Sequence, residues 1–191
     1  STGKPKKYKR LFFGLAFFHA VVIERKKYGA LGWNIPYAFN ETDSAISDSQ
    51  LKMYLDMYEE IPYGVLDLLT QFINYGGSVT DDKDLRTIDI IMRTYYTPKL
   101  FEPGYKFSES GAYYSFDFDP DNVHESYMEY IRSMPINPEP EAFGMHENAN
   151  ITCAQAETYL NFEIILALQP RVAGGGGMSR EDQIGHVAKD I

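Results

Sequence analysis

Apolar residues are packed most densely near the start of the chain, between Leu11 and Ile23. Nearly every position in this run is apolar, so it predicts a buried helix without the polar stripe of a surface helix. The charged stretch Glu24 to Lys27 follows where a signal peptide would carry a small-residue cleavage site. The run is also shorter than the roughly 20 residues that span a bilayer. We therefore interpret it as a core helix.

A loop with unusually large apolar side chains follows the first helix. It reads YGALGWNIPYAFN over residues 28–40, and its glycines and Pro36 interrupt the helical period. Because exposed loops seldom carry so many large apolar groups, we expect Trp33 to pack this loop against the first helix. Ser47 and Gln50 then match a capping box, which predicts a second helix that ends near Ile61.

Two more helices are predicted before residue 100. Pro62 suits the first turn of a third helix, which glycines end after Tyr75. Thr80 is the expected N-cap of a fourth helix, which carries Asp81, Asp82 and Asp84 in its first turn and continues towards residue 98. The buried side of the third helix is expected to contain Val65, Leu66, Leu68, Leu69, Phe72 and Ile73.

The pattern changes beyond residue 105. Aromatic-rich segments flank Gly111 and predict a small β-hairpin. Capping boxes that begin at Asn122 and Thr152 predict two further helices. Gly174 to Gly177 predict a flexible joint before a last short helix from Ser179. The fold class is therefore mainly α: a helical bundle with a small β-hairpin and further C-terminal helices.

Charge is distributed unevenly along the 191 residues. The net charge is −9, yet residues 1–27 carry eight basic groups against one acid, which leaves ten basic groups against twenty-six acids in the remainder. Residues 1–10 are predicted to form a basic tail, and we interpret Ser1 to Lys4 as a cloning remnant. A body this acidic repels phosphate backbones and anionic lipid headgroups. The prediction is that neither nucleic acid nor a membrane is a partner.

Motifs for nucleotide and metal binding are absent or incomplete. No G-x-x-x-x-G-K-[ST] phosphate loop occurs in the sequence. Asp117, Asp119 and Asp121 match the first ligand positions of a calcium loop, but Asn122 and Met128 replace the glycine and the glutamate that such a loop needs. No H-x-x-x-H pair occurs among the four histidines, which are His19, His124, His146 and His186.

Cys153 is the only cysteine, which excludes an internal disulfide and a cysteine-based zinc cluster and suits a reducing compartment. It lies at a predicted helix start but lacks a basic neighbour in sequence, so a buried structural thiol is a commoner interpretation than a nucleophile. No serine lies in a G-x-S-x-G elbow. The residues alone therefore predict no catalytic, cofactor-binding or metal site, and the chain is not expected to be an enzyme.

Four sequence blocks resemble one protein family. In chain order they are LFFGLAFFHAVVIERKKYGALGWNIPYAFNETD, YEEIPYGVLDLLTQFINYGGSVTDDKD, YKFSESGAYYSF and FGMHENANIT. Each resembles the C-terminal motor region of dynein heavy chains, and the resemblance extends from about Tyr8 to the end of the chain. GWNIPYAFN, with no insertion before EEIPY, looks more like the axonemal heavy chains than the cytoplasmic ones.

The resemblance implies a position within a much larger motor. Residues 11–110 would be the helical lid of the sixth AAA+ module, and residues 111–191 the beginning of the dynein C-terminal region. The parent chain would be an ATP-driven, minus-end-directed microtubule motor in the cytoskeleton of a ciliary or flagellar axoneme. ATP, Mg²⁺ and microtubules would be bound elsewhere in that chain, and this piece would contact neighbouring modules.

The resemblance also indicates candidate contact residues. The family motifs include Trp33, Asn34, Tyr75, Gly76, Gly77, Thr80, Asp81 and Asp82. We expect both glycines to adopt a backbone angle or a close approach that a side chain would forbid. The family commonly reads YGGRVTDDWDRR, whereas this chain has Ser78, Lys83 and Leu85 at three of these positions, which argues against a phosphate contact by a lid arginine. The block over residues 75–84 is either an inter-module contact or only a well-built turn.

Two functions from different classes follow. The first is a non-catalytic mechanical lid module of an axonemal dynein ring. The alternative is a freestanding helical adaptor that binds a protein partner through its aromatic surface. A reading frame that continues on both sides of this segment would favour the first function.

Overall fold

The computed structural model describes residues 4–168, and helices dominate this range. Within it the structure contains six α-helices and no β-strand, which confirms the mainly helical class. The helices are α1 (Lys4–Glu24), α2 (Glu41–Met57), α3 (Tyr63–Leu68), α4 (Asp82–Tyr95), α5 (Val123–Ser133) and α6 (Ala149–Ala167). A π-helical segment, Leu69–Tyr75, continues α3, and short 3₁₀ turns connect several other elements. No helix of the described range is both long enough and apolar enough to cross a membrane.

Helix α1 is the centre of the core. It packs against α2 and α4, and Leu11, Leu15, Phe18 and Val22 are completely buried. Gly14 lets α1 approach α4 closely, because a Cβ placed there would lie 2.5 Å from the carbonyl oxygen of Tyr95. Two helices that touch at a glycine can interdigitate the side chains on either side of it, and this contact fixes the α1–α4 spacing.

The basic segment at the start of the chain is helical from Lys4 onward, because it forms the first turns of α1. Its cations contact the acidic remainder of the chain. Arg10 and Lys6 form ion pairs with Asp117, at a Lys6–Asp117 distance of 4.0 Å, and the Lys7 ammonium donates to the Glu59 carbonyl at 3.2 Å. The uneven charge seen in the sequence is thus partly neutralised within the fold.

Helix α2 begins six residues before the predicted capping box. Asn40 is its N-cap: the Asn40 side chain accepts from the Thr42 N–H at 2.8 Å, and Asp43 accepts from the Asn40 N–H at 3.0 Å. Ser47 lies inside the helix, where its hydroxyl donates to the Asp43 carbonyl at 2.8 Å. The helix also ends earlier than predicted, at Met57, ahead of the proline-containing turn.

The third helix differs most from its prediction. Pro62 is the N-cap rather than a first-turn residue, and α3 passes into the π-helix after one and a half turns. Leu66, Thr70 and Tyr75 are buried, with a spacing of four and then five residues, because a π turn contains one more residue than an α turn. The predicted buried side is wrong in large part, since the following side chains are exposed: Val65, Leu68, Phe72 and Ile73.

The predicted hairpin around Gly111 does not form strands in the described range. An isolated antiparallel bridge joins Lys106 and Tyr114, and Gly111 has a positive φ of 78°. The hydroxyl of Tyr130 on α5 both accepts from the N–H of Tyr114 and donates to its carbonyl, at 2.9 Å each. This side chain occupies the hydrogen-bonding groups that a longer strand ladder would have used.

The C-terminal helices agree with the predicted segments in part. Helix α5 follows Asn122, but the Asn122 side chain makes no capping hydrogen bond. Helix α6 begins at Ala149, three residues before the predicted cap Thr152. The chain divides into two compact units after Ala156, and the second unit is described only up to residue 168. The glycine joint at 174–177 and the last predicted helix lie outside the described residues, and the domain division at residue 110 stays a prediction.

The close approach at Gly14 generates a stability prediction. Gly14→Ala should lower the free energy of unfolding by about 1–3 kcal/mol, because its Cβ would push α1 away from α4. Gly64→Ala is the matched control: it lies in α3, nothing lies within 4 Å of its added Cβ, and it should stabilise the chain by about 0.4–1 kcal/mol. Urea unfolding of both variants measures the difference, and equal effects would show that the helix contact does not depend on glycine.

Candidate functional site

The structure brings part of the predicted motif together at the N-terminus of α4. The Asn34 side-chain amide donates to the Asp81 carboxylate at 3.1 Å, and the Asp81 N–H donates to the Tyr37 hydroxyl at 3.3 Å. The loop that follows the first helix therefore lies directly on the start of the fourth. We call this junction between residues 33–37 and 81–84 the loop clasp.

Asp81, not Thr80, caps α4. Its carboxylate accepts from the backbone N–H groups of Lys83 at 2.8 Å and Asp84 at 3.1 Å. The hydrogen bond from the Asp84 N–H, followed by that from the Asn34 amide, lowers the pKa of Asp81 below its ordinary value. The acidic first turn, with Asp82 and Asp84, is as predicted. Aspartate is at least as good a cap as threonine, and here its extended backbone leads directly into the helix.

Asp84 is the central residue of the loop clasp, and sequence reasoning assigned it only to the helix dipole. Its carboxylate is 3% exposed and accepts the Asn34 N–H at 3.1 Å, the Ile35 N–H at 3.4 Å and the Tyr37 hydroxyl at 2.9 Å. A buried carboxylate is stable only when such donors replace water. Its helical phase was an available signal, because Asp84 lies four residues before the buried Ile88 on the inward face of α4.

Trp33 holds the other side of the loop, and the expectation that it packs against the first helix is confirmed. The ring is buried, and its Nε1–H donates to the Val22 carbonyl at 3.0 Å. The Arg25 guanidinium lies 5.2 Å from the ring centroid, within the range of a cation–π contact. Phe39 packs against the same ring at 5.4 Å. The loop is thus fixed by apolar contacts at Trp33 and by polar contacts at Asp84.

Arg25 connects this loop to a distant part of the chain. It is buried, its Nε–H donates to the Gly32 carbonyl at 3.2 Å, and its Nη1 donates to the Phe143 carbonyl. Burial lowers the pKa of Arg25 to about 10, and the charge of Asp84 opposes this shift. In the sequence Arg25 is part of the charged stretch Glu24 to Lys27, and nothing local indicates that its partner is residue 143.

Tyr75, Gly76 and Gly77 lie at the end of the π-helix. Tyr75 is completely buried, and its hydroxyl lies 2.8 Å from His19 Nδ1. A Cβ at Gly76 would collide with the carbonyl oxygen of Gln71, so the expected close approach is confirmed there. The same expectation is wrong for Gly77, which has open space around it and no positive φ.

Burial divides the predicted contact residues into two groups. Trp33, Tyr75 and Gly76 are buried and hold the fold. The exposed members are Asn34, Gly77, Thr80 and Asp82, with Asp81 half-buried beside them. Only this second group is exposed enough to contact another protein surface, and Asn34, Asp81 and Asp82 belong to the loop clasp.

Asp84 generates the second prediction. Asp84→Ala leaves two backbone N–H groups and a tyrosine hydroxyl without their acceptor, so the free energy of unfolding should fall by about 3 kcal/mol. Asp84→Asn keeps one acceptor oxygen and should cost less. Asp82→Asn, exposed in the same helical turn, is the control and should change stability by less than about 0.5 kcal/mol. Chemical unfolding checks the order, and similar values for residues 82 and 84 would contradict the clasp.

Comparison with known proteins relates the sequence of this chain to one family. The family described as "Dynein heavy chain AAA lid domain" matches residues 8–149. The chain is 47% identical over 191 residues to dynein axonemal heavy chain 1 of Rattus norvegicus and 45% identical over 191 residues to dynein axonemal heavy chain 3 of Mus musculus. These alignments cover 100% of this chain but only 4% and 5% of the two relatives. Dynein axonemal heavy chain 12 of Rattus norvegicus is 44% identical over 95% of this chain and 6% of its own length. The chain therefore belongs to the dynein heavy chain AAA lid family, and it is similar in sequence to axonemal heavy chains.

Proposed function

We propose that this chain is a non-catalytic mechanical module of an axonemal dynein heavy chain. One observation carries the proposal: the lid family matches residues 8–149. The alignment of the whole chain to a small fraction of much longer axonemal relatives supports it. The parent chain would be an ATP-driven, minus-end-directed microtubule motor of cilia and flagella. In it, ATP with Mg²⁺ and the microtubule would be bound outside these 191 residues.

The packing supports a role in transmitting force. Helices α1, α2 and α4 pack around one core, and the loop clasp ties the loop at residues 33–37 to α4 through buried hydrogen bonds. Close-packed interiors resist compression and move as units rather than deforming gradually. A module built this way would pass a rotation from one neighbour to the next.

An exposed apolar surface supports contact with neighbouring modules. Four apolar side chains of α3 and the π-helix are between 42% and 59% exposed: Val65, Leu68, Phe72 and Ile73. Apolar residues clustered on an exposed surface are typical of interaction sites. The exposed residues around the loop clasp, Asn34, Thr80 and Asp82, would provide a second, polar contact.

The freestanding adaptor is the competing function, since an apolar surface also suits an independent binding protein. The alignment weighs against an adaptor. The whole of this chain aligns with a segment that makes up only 4% and 5% of the length of two axonemal relatives. The same relatives are named as axonemal, which supports an axonemal location in a cilium or flagellum.

The third prediction concerns nucleotide binding by the 191-residue chain. Titration with Mg-ATP in a calorimeter should give no saturable heat, because the sequence contains no phosphate loop. A dissociation constant in the micromolar range, about −8 kcal/mol, would require phosphate recognition that a mechanical lid does not have. Such binding would contradict the non-catalytic role.

The fourth prediction tests the polar contact in the full-length heavy chain. Asp82→Asn should slow microtubule gliding and lower microtubule-stimulated ATPase activity, while the local cap at Asp81 stays intact. Asp121→Asn, also exposed but outside the motif, is the matched control and should behave as wild type. If both variants keep wild-type gliding and ATPase rates, residues 75–84 only hold a helix end and the inter-module contact is absent.

A further inference from the structure

A long groove lies between α1 and α5. Its volume is about 810 Å³. Phe12, Ala16 and Ala20 of α1 form one wall, and Tyr127 and Ile131 of α5 form the other. Its α1 wall lies away from Gly14 and Phe18, which are directed into the core, while Tyr95 at the end of α4 also lines the groove. Among residues 4–168, this side of α1 is left partly uncovered, since Phe12, Ala16 and Ala20 are exposed.

The chemistry of the groove does not suit a small polar ligand. Its lining is almost entirely apolar. Small-molecule sites normally add a few convergent polar groups that fix the orientation of the ligand. Two charged members of the lining already have partners elsewhere: Glu24 pairs with Lys27, and the Lys9 ammonium lies 5.5 Å from the Phe118 ring centroid. The groove therefore offers apolar area rather than a directed set of hydrogen bonds.

The shape of the groove suits a helix. It follows α1 from Lys9 to Glu24, which at 1.5 Å per residue is about 22 Å, or four helical turns. Ala16 and Ala20 lie one turn apart on the exposed side, and small side chains at that spacing allow a second helix backbone to come close. Aromatic side chains on both walls would then flank the incoming apolar residues, in the manner of helix-in-groove recognition.

The apolar character of the groove favours a permanent occupant over a transient one. Transient interfaces are about as polar as the rest of a protein surface, whereas permanent ones resemble a domain core cut in half. A second copy of this chain is disfavoured, because each copy carries a net charge of −9. The axonemal relatives are about twenty times longer than this chain. The remainder of such a polypeptide is long enough to supply a covalently linked helix for the groove.

We infer that the α1–α5 groove binds an apolar helix of about four turns from the same heavy-chain polypeptide, outside these 191 residues. This inference rests on the proposed function, in which the chain is one module of a longer motor. The groove would then add an apolar contact with the rest of the heavy chain to the polar contact proposed around the loop clasp.

Site-specific photo-cross-linking in the full-length heavy chain tests this inference. A photo-reactive phenylalanine analogue replaces Ala20 in one protein and Thr42, exposed in the first turn of α2, in the control. After irradiation, peptide mass spectrometry should find position 20 joined to an apolar segment of the same polypeptide outside this region. Position 42 should not give that product.

A product that joins position 20 to a separate polypeptide, or to another residue within these 191, would overturn the inference. The absence of any cross-link at position 20 would overturn it as well. A second protein with the analogue at Ala16 repeats the test one turn away, in case position 20 disturbs folding. Gliding of the Asp82→Asn motor tests the proposed function without involving the groove, so the two failures can be told apart.

Discussion

The apolar circumference of α1 is the constraint on which the rest of the structure depends. A helix with apolar residues at nearly every position between Leu11 and Ile23 has no side suited to water, so every side of it must be covered. Helices α2 and α4 cover one side, and Gly14 sets how closely α4 can approach. The opposite side is the wall of the open groove. The apolar residues around α1 therefore form both the core and the wall of the groove that we infer binds a helix from outside these 191 residues.

Polar contacts in the interior then fix the loop that α1 leads into. Asp84 satisfies the N–H groups of Asn34 and Ile35, while Arg25 satisfies the carbonyls of Gly32 and Phe143. These two buried charges have opposite sign, and the charge of Asp84 partly offsets the effect of burial on the pKa of Arg25. Burying either charge without its hydrogen-bond partners would be energetically unfavourable. The loop therefore adopts the one position relative to α4 in which both charges are satisfied. The family motif residues at the surface of the clasp take their positions from this buried pair.

Sequence reasoning was reliable where the structural cause is local. The end of α1 at Glu24 lies one residue beyond the predicted apolar run, and α5 begins directly after Asn122. It was unreliable for the start of α2: the predicted capping box at Ser47 does not form, and Asn40 with Asp43 caps the helix instead. The π-helix after α3 changed which residues are buried, and no residue pattern distinguishes it in advance. Around Gly111, the Tyr130 hydroxyl takes the hydrogen bonds of the Tyr114 backbone that a longer hairpin would use. Tyr130 lies 16 residues beyond Tyr114, so the local pattern around Gly111 did not indicate this contact.

For the site, the motif residues were found by resemblance, but the residues that position them were not. Asp84 binds the N–H of Asn34, 50 residues away, and Arg25 binds the carbonyl of Phe143, 118 residues away. Contacts between residues this far apart in sequence cannot be predicted from the spacing of nearby residues. The phase of Asp84 on the inward face of α4 was the one available signal. An acidic residue in register with buried apolar positions of a predicted helix indicates a buried carboxylate that needs donors from elsewhere.

Protection of the exposed side of α1 within the intact motor is the most direct measure of the central claim. Ala20→Cys and, as reference, Thr42→Cys are each labelled with a maleimide in the native full-length heavy chain, in a Cys153→Ala background, and the rate at each position is measured by mass spectrometry of the peptide that carries it. Both positions are exposed in the structure of this region. We predict that position 20 reacts at least about tenfold more slowly than position 42, which corresponds to about 1.4 kcal/mol or more of protection. Equal labelling rates would mean that the groove is open to solvent in the motor, and the uncovered side of α1 would then have no partner there.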